Sequence, residues 1–154
     1  ELSGGSYEAP AMQGKTADER TLAREAYFLE FAKTISEQSS IPIMTTGGIS
    51  RLSVANNVID SGVALAGIAT ALAYKPDLVS IWQKQPEFIP AAPNVQIKDK
   101  TIAGLATMAL VKRQIRRIGQ GKGAKVNASA VFTLIYDQIR SLKLTKRYKK
   151  HYIE

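Results

Sequence analysis

The sequence predicts a parallel α/β fold over residues 1 to 85, followed by a helical extension, and three observations carry that prediction. First, Ile41-Pro42-Ile43-Met44 and the run Val63 to Ile68 are apolar without polar alternation, as in strands covered on both faces. Second, about 20 residues separate the two runs, enough for one crossover helix of a βαβ unit. Third, each run leads into small residues, Thr45-Thr46-Gly47-Gly48-Ile49-Ser50 and Gly67-Ile68-Ala69-Thr70. Small residues at a strand end leave backbone N–H groups open to an anion, so the pattern points to a phosphate-bearing ligand.

Each element follows from its local chemistry. From about Arg20 to Gln38, Leu22, Ala26, Leu29, Ala32 and Ile35 fall three or four residues apart. Phe28 and Phe31 widen that stripe into a core-facing helix, with Asp18 as its N-cap. After the first strand, Gly47 and Gly48 can take positive φ and let a ligand approach the main chain. Ser50 or a neighbour then caps a helix of about three turns, Arg51 to Ser61, whose N-terminus carries partial positive charge. Past Pro76 a short helix runs through Trp82. Pro86, Pro90 and Pro93 mark a connection over residues 86 to 100 in which no regular structure is expected.

From Thr101 to the end the composition changes, and residues 101 to 154 form a basic helical extension. Ile102, Leu105, Met108, Val111, Ile115 and Ile118 mark one face of a helix ending at Gly119 or Gly121, with Lys112, Arg113, Arg116 and Arg117 as its polar side. A second helix fits Ser129 to Leu142, with Ser129 as N-cap and Val131, Leu134, Ile135, Ile139 and Leu142 as its apolar stripe.

Thr45-Thr46-Gly47-Gly48-Ile49, Gly67-Ile68-Ala69-Thr70-Ala71-Leu72-Ala73 and Lys75-Pro76-Asp77-Leu78, in that order and spacing, resemble the end of the old yellow enzyme family of NADH:flavin oxidoreductases and NADH oxidases. The likeness extends upstream to Glu1-Leu2-Ser3-Gly4-Gly5, which resembles the end of barrel strand six. Downstream it reaches Trp82, Lys98-Asp99-Lys100 and Lys146-Arg147-Tyr148, so it covers nearly the whole chain. No single motif is specific; the series is. The resemblance implies an α/β fold that is the C-terminal portion of a (β/α)8 TIM barrel. That portion comprises the end of strand six, strands seven and eight with their helices, and the helical C-terminal extension.

A complete barrel usually needs about 250 residues. The chain is therefore expected to be a fragment that does not fold stably without the rest of the barrel, because its sheet edges would be unpaired and apolar. The two extension helices are expected to bury their stripes on the outside of the barrel or against a second copy of the chain.

The resemblance also implies a cofactor, FMN, and a reductant, NADH or NADPH. Gly48 matches the family's glycine whose N–H meets the FMN phosphate after strand seven, and Gly47 adjoins it. After strand eight the family usually has a Gly-Arg pair; this chain has Ala69 and Thr70, which would lose a charge-assisted contact. The Thr70 hydroxyl and N–H at a helix start could replace part of it. Tyr7, in the loop after strand six, is a candidate for the substrate pocket, and Glu8 beside it reads as a solvated carboxylate. The family's substrate-binding histidine pair and its proton-donating tyrosine belong to earlier strands, so no catalytic residue is assigned. His151 is the one histidine and sits in a basic tail.

Two other readings stand beside this one. A phosphate site after strands seven and eight also serves barrels that bind phosphorylated metabolites without flavin. Charge supplies the second. Residues 1 to 100 hold nine Lys or Arg against eleven Asp or Glu, whereas residues 101 to 154 hold twelve against two. All of the net charge of +8 thus comes from the last third, which with Tyr148 and Tyr152 is a candidate nucleic-acid surface. No recognition fold accompanies it, so nucleic acid ranks below a small-molecule electron acceptor as partner. Cysteine is absent, which excludes disulfides and thiolate metal sites, and a single histidine leaves little for a transition metal. The first residues resemble neither a secretion signal nor a membrane span, and a cytoplasmic protein is expected.

Overall fold

The computed structural model describes residues 1–2 and 29–153. The chain divides into two compact units, Glu1–Ala91 and Ala92–Glu154, and the division falls inside the proline-rich connection.

The first unit is mixed α/β. Its elements are α1 (Leu29–Gln38), β1 (Met44–Thr46), α2 (Leu52–Asp60), β2 (Leu65–Gly67), α3 (Thr70–Tyr74) and α4 (Leu78–Trp82). β1 and β2 pair in parallel, with Met44 opposite Leu65, Thr45 opposite Ala66 and Thr46 opposite Gly67. On the other side of β1, Leu2 forms a parallel bridge with Thr45. The Leu2 N–H donates to the Met44 carbonyl (2.7 Å), and the Thr46 N–H donates to the Leu2 carbonyl (3.0 Å). Three segments thus lie side by side in chain order, with β1 in the middle.

β1 begins three residues later than its apolar run suggests. Pro42 has no N–H to give to a ladder, Ile41 is 72% exposed, and regular pairing starts at Met44. The expectation of strands covered on both faces also fails among the described residues, since Leu65 is 56% exposed. The core lies on one side. Ala32 of α1, Ile49, Val54, Ala55 and Val58 around α2, and Val63 form one buried cluster, with Leu2, Leu29, Ala66 and Ile68 packed against it. A second cluster joins Ala71, Leu78 and Trp82 to Leu52, Ile68, Leu72 and Phe88. Ile68 belongs to both and ties the end of β2 to each.

Of the first predicted helix, the segment before Leu29, with Asp18, Leu22, Ala26 and Phe28, lies outside the described residues. Phe31 is 57% exposed and does not face the core. It sits one step around the helix from fully buried Ala32, and one step is about 100°. The Trp82 ring is buried, and its indole N–H donates to the Phe88 carbonyl at 2.9 Å.

The second unit holds α5 (Lys100–Ile118) and α6 (Ala130–Tyr152). Side chains cap both helices: the Asp99 carboxylate accepts from the Ile102 N–H at 2.8 Å, and the Ser129 hydroxyl from the Phe132 N–H at 3.3 Å. α5 stops where Gly121 takes φ +69°, with its N–H returning to the Ile118 carbonyl (2.9 Å). A left-handed residue just past the last turn suits glycine because it has no Cβ. α6 continues ten residues past Leu142, its predicted end. Leu144, Tyr148 and Tyr152 keep the four-residue spacing, and cations in the last turn complement the helix dipole.

The apolar stripes named from the sequence are not what joins these two helices. Ile102, Leu105, Met108 and Ile115 of α5 are exposed, as are Val131, Ile135, Ile139 and Leu142 of α6. The inner face of α5 is built instead from Gly104, Ala106, Ala109, Leu110 and Gln114, and that of α6 from Thr133 and Asp137. Val95, Ala106 and Leu110 form the apolar centre, with Ala130 and Leu134 packed against it. Small side chains let two helix backbones approach, and polar pairs fill the rest. Asp137, 5% exposed, accepts from Arg116 (2.9 Å) and Lys112 (3.3 Å). Arg113 donates to the Thr133 hydroxyl at 3.2 Å. The Gln114 amide clasps the backbone of Lys125 in both directions, at 3.0 and 2.9 Å. Three of the cations assigned to the solvent side of α5 are therefore spent on α6.

Candidate phosphate-binding site

The C-terminal ends of β1 and β2 place the predicted cofactor-binding residues. At the end of β1, Gly47 (φ +131°) and Gly48 (φ +71°) both lie in the region that L side chains rarely adopt. Two such residues in succession turn the chain sharply, and Gly48 is exposed while buried Ile49 anchors the turn in the core. The turn leads directly into α2, whose N-cap is Arg51 and not a serine. The Arg51 side chain makes no capping hydrogen bond to α2, and the first turn of the helix carries partial positive charge.

The end of β2 is shaped by close approach. A Cβ added to Gly67 would lie about 3.0 Å from Thr46 Cβ and 3.2 Å from its Cγ2, with the Thr46 hydroxyl oxygen closer still. Thr46 in turn donates its hydroxyl to the Glu1 carboxylate at 2.9 Å. Thr45 is buried and donates its own hydroxyl to the Leu2 carbonyl at 3.4 Å. The three strand ends are thereby locked together below the two loops.

Ala69 and Thr70 are exposed where the chain leaves β2. Ala69 is the N-cap of α3, with a side chain that cannot cap it, and Thr70 is the first of the helix's five residues. Tyr7 and Glu8 lie outside the described residues. His151 is exposed and meets the Tyr152 ring edge-on at 4.8 Å between centroids, so it belongs to the end of α6.

Arg51 escaped the sequence reading. It is the one Lys or Arg between Met44 and Tyr74, and it stands three residues after Gly48 at the head of α2. Its signal in the sequence is that isolation. The residues of the two loops are of the kind that suits a phosphate: a glycine turn that a Cβ would strain, a helix start headed by Arg51, and the hydroxyl of exposed Thr70. Among the described residues, no group of His, Asp or Glu side chains is placed to hold a metal ion, and no helix is long and apolar enough to cross a membrane. Comparison of the chain with models of known families, with curated proteins and with solved structures finds no match.

Proposed function

We propose that the chain is the C-terminal part of an FMN-dependent oxidoreductase of the old yellow enzyme type and holds the cofactor's phosphate. The observation that carries this reading is the Gly47-Gly48 turn, with positive φ at both residues, between a parallel strand and α2. The side-by-side order of Leu2, β1 and β2 supports a barrel segment, because neighbouring strands in a (β/α)8 barrel follow chain order.

Each residue then has a defined task. The Gly48 N–H donates to a phosphate oxygen, and Gly47 supplies the turn that exposes it. The first turn of α2 and Arg51 balance the phosphate charge, Thr70 donates its hydroxyl from the neighbouring loop, and Ala69 leaves room beside it. Bound FMN, reduced by NADH or NADPH, supplies hydride to an electrophilic acceptor such as an activated alkene. Tyr7 is assigned to the pocket of that acceptor. The catalytic groups belong to the other strands of the barrel, which are the principal partner of this chain and lie against the apolar edges it exposes; alone, the chain is inactive. A second copy is the alternative cover for α5 and α6. The reading places the protein in the cytoplasm.

The test is an FMN titration of the protein together with its remaining barrel strands, followed by flavin fluorescence. Gly48→Val should abolish binding. Thr70→Arg, at an exposed position where folding is not at stake, should tighten it by restoring the family's arginine. If neither wild type nor Thr70→Arg takes up FMN, the flavin reading is wrong. The arginine's replacement by Thr70 would then mark a barrel for phosphorylated metabolites, to be sought by the same titration with sugar phosphates.

A further inference from the structure

The flavin reading makes no use of the end of α6. Residues 138 to 153 are all exposed, so about four turns of this helix carry no packing from the rest of the second unit. This stretch contains Arg140, Lys143, Lys146, Arg147, Lys149 and Lys150, and no carboxylate lies between Asp137 and Glu154. Asp137 itself is turned inward and neutralised by Arg116 and Lys112. The cations therefore have no acidic neighbours along the helix.

Their spacing is ordered. Arg140, Lys143, Arg147 and Lys150 follow steps of three and four residues and share one face, with Lys146 at its edge. At 1.5 Å per residue the five cations span about 15 Å of helix axis. One strand of a nucleic-acid duplex carries a phosphate every ~3.4 Å of axis, or about four to five phosphates over the same length. The other face holds Ser141, Thr145, Tyr148, Lys149 and Tyr152, with the two tyrosine rings 4.9 Å apart, while Leu144 and His151 border the cationic face. That face is too polar to sink into hydrocarbon, and the aliphatic residues a lipid surface would need lie upstream, between Val131 and Leu142.

We propose that the C-terminal half of α6 is a docking surface for the phosphate backbone of nucleic acid, bound without sequence preference. The proposal is independent of FMN. The charge match is to the backbone alone, so affinity should depend on salt and not on base sequence.

The test is fluorescence anisotropy of a labelled 20-base-pair duplex of arbitrary sequence, titrated with the full chain across a salt series. Five phosphate contacts predict a slope of log K against log salt of about −4.5. The triple variant Lys143→Gln/Arg147→Gln/Lys150→Gln should lower the slope by about three and weaken binding at least about tenfold at fixed salt. Lys98→Gln/Lys122→Gln/Lys125→Gln removes three exposed cations from elsewhere in the same unit and should leave the slope nearly unchanged. All six side chains are exposed, so circular dichroism should be unaltered. Equal losses from the two triple variants would reduce the effect to net charge and overturn the proposal. Absence of binding at low salt would overturn it too, as would retention of phosphatidylserine vesicles at a salt concentration that releases the duplex.

Discussion

The side chain of Thr46 occupies the space that a Cβ on Gly67, its partner across the parallel pair, would fill. The contact holds the ends of β1 and β2 at a separation that only glycine permits at position 67. Gly67→Ala should therefore destabilise the first unit by about 1–3 kcal/mol, the range for overpacking a filled site. In a Thr46→Ala background the same substitution should cost less, because the hydroxyl and methyl are gone. A double-mutant cycle by urea unfolding measures the difference, and additive costs would show that the clash lies elsewhere.

Asp137 makes the α5–α6 pair sensitive to acid. Burial alone would raise its pKa, but the hydrogen bonds from Arg116 and Lys112 outweigh that and hold it below its ordinary value of 3.8. A carboxylate with a depressed folded pKa contributes stability that is complete above the unfolded value and is lost as pH falls through the folded one. Unfolding of the second unit should thus be level above about pH 5 and weaken below 3.8. Asp137→Asn should cost about 1–3 kcal/mol at pH 7, the scale of charge-assisted hydrogen bonds, and remove most of the acid dependence. Thermal melts of both proteins between pH 2.5 and 7 would show a constant difference if Asp137 were not responsible.

The parts legible in sequence are those with local causes. Gly47 and Gly48 announce a positive-φ turn whatever surrounds them, and Ser129 caps α6 because its hydroxyl reaches an N–H three residues on. The inner faces of α5 and α6 are not legible in sequence, because periodicity ranks a helix's arcs by hydrophobicity, whereas the pairing depends on what the other helix offers. Gly104, Ala106 and Ala109 look featureless alone, and Gln114 looks solvated. They become the interface because Asp137 and Thr133 supply partners for Lys112, Arg116 and Arg113, which are 20 to 25 residues away in sequence. At the site, Arg51 does not stand out in sequence, because it follows the Gly47-Gly48 turn by three residues and the resemblance calls for an arginine at position 70 instead.

The exposed stripes and the inner faces give opposite expectations for single substitutions. Ile135→Gln and Ile139→Gln replace exposed side chains and should change the stability of the second unit by less than about 0.5 kcal/mol. Leu110→Ala removes a side chain that is 1% exposed and should cost about 2–4 kcal/mol. Chemical denaturation of the three variants ranks them directly. A large loss at Ile135 or Ile139 would mean that the stripe read from the sequence is buried in solution, under the barrel or a second copy. The isolated chain should also self-associate less when both isoleucines are polar, which light scattering can follow.

Arg51 provides the sharpest test of the phosphate reading, because it is the one Lys or Arg between Met44 and Tyr74, the stretch that contains both loops. Replacing it with glutamine removes one charge-assisted contact, on the order of 1.5–3 kcal/mol, so FMN affinity should fall by about tenfold or more. Arg51→Lys should recover only part of the loss, since an ammonium cannot grip two phosphate oxygens as a guanidinium does. Arg51 is also half-buried at the head of α2, so a fall in FMN binding alone would not separate a ligand role from a structural one. Riboflavin makes the separation: it carries the same ring and no phosphate, and its affinity should be unchanged in Arg51→Gln. Equal losses for FMN and riboflavin would assign Arg51 to the fold, and the phosphate would then rest on Gly48, the start of α2 and Thr70 alone.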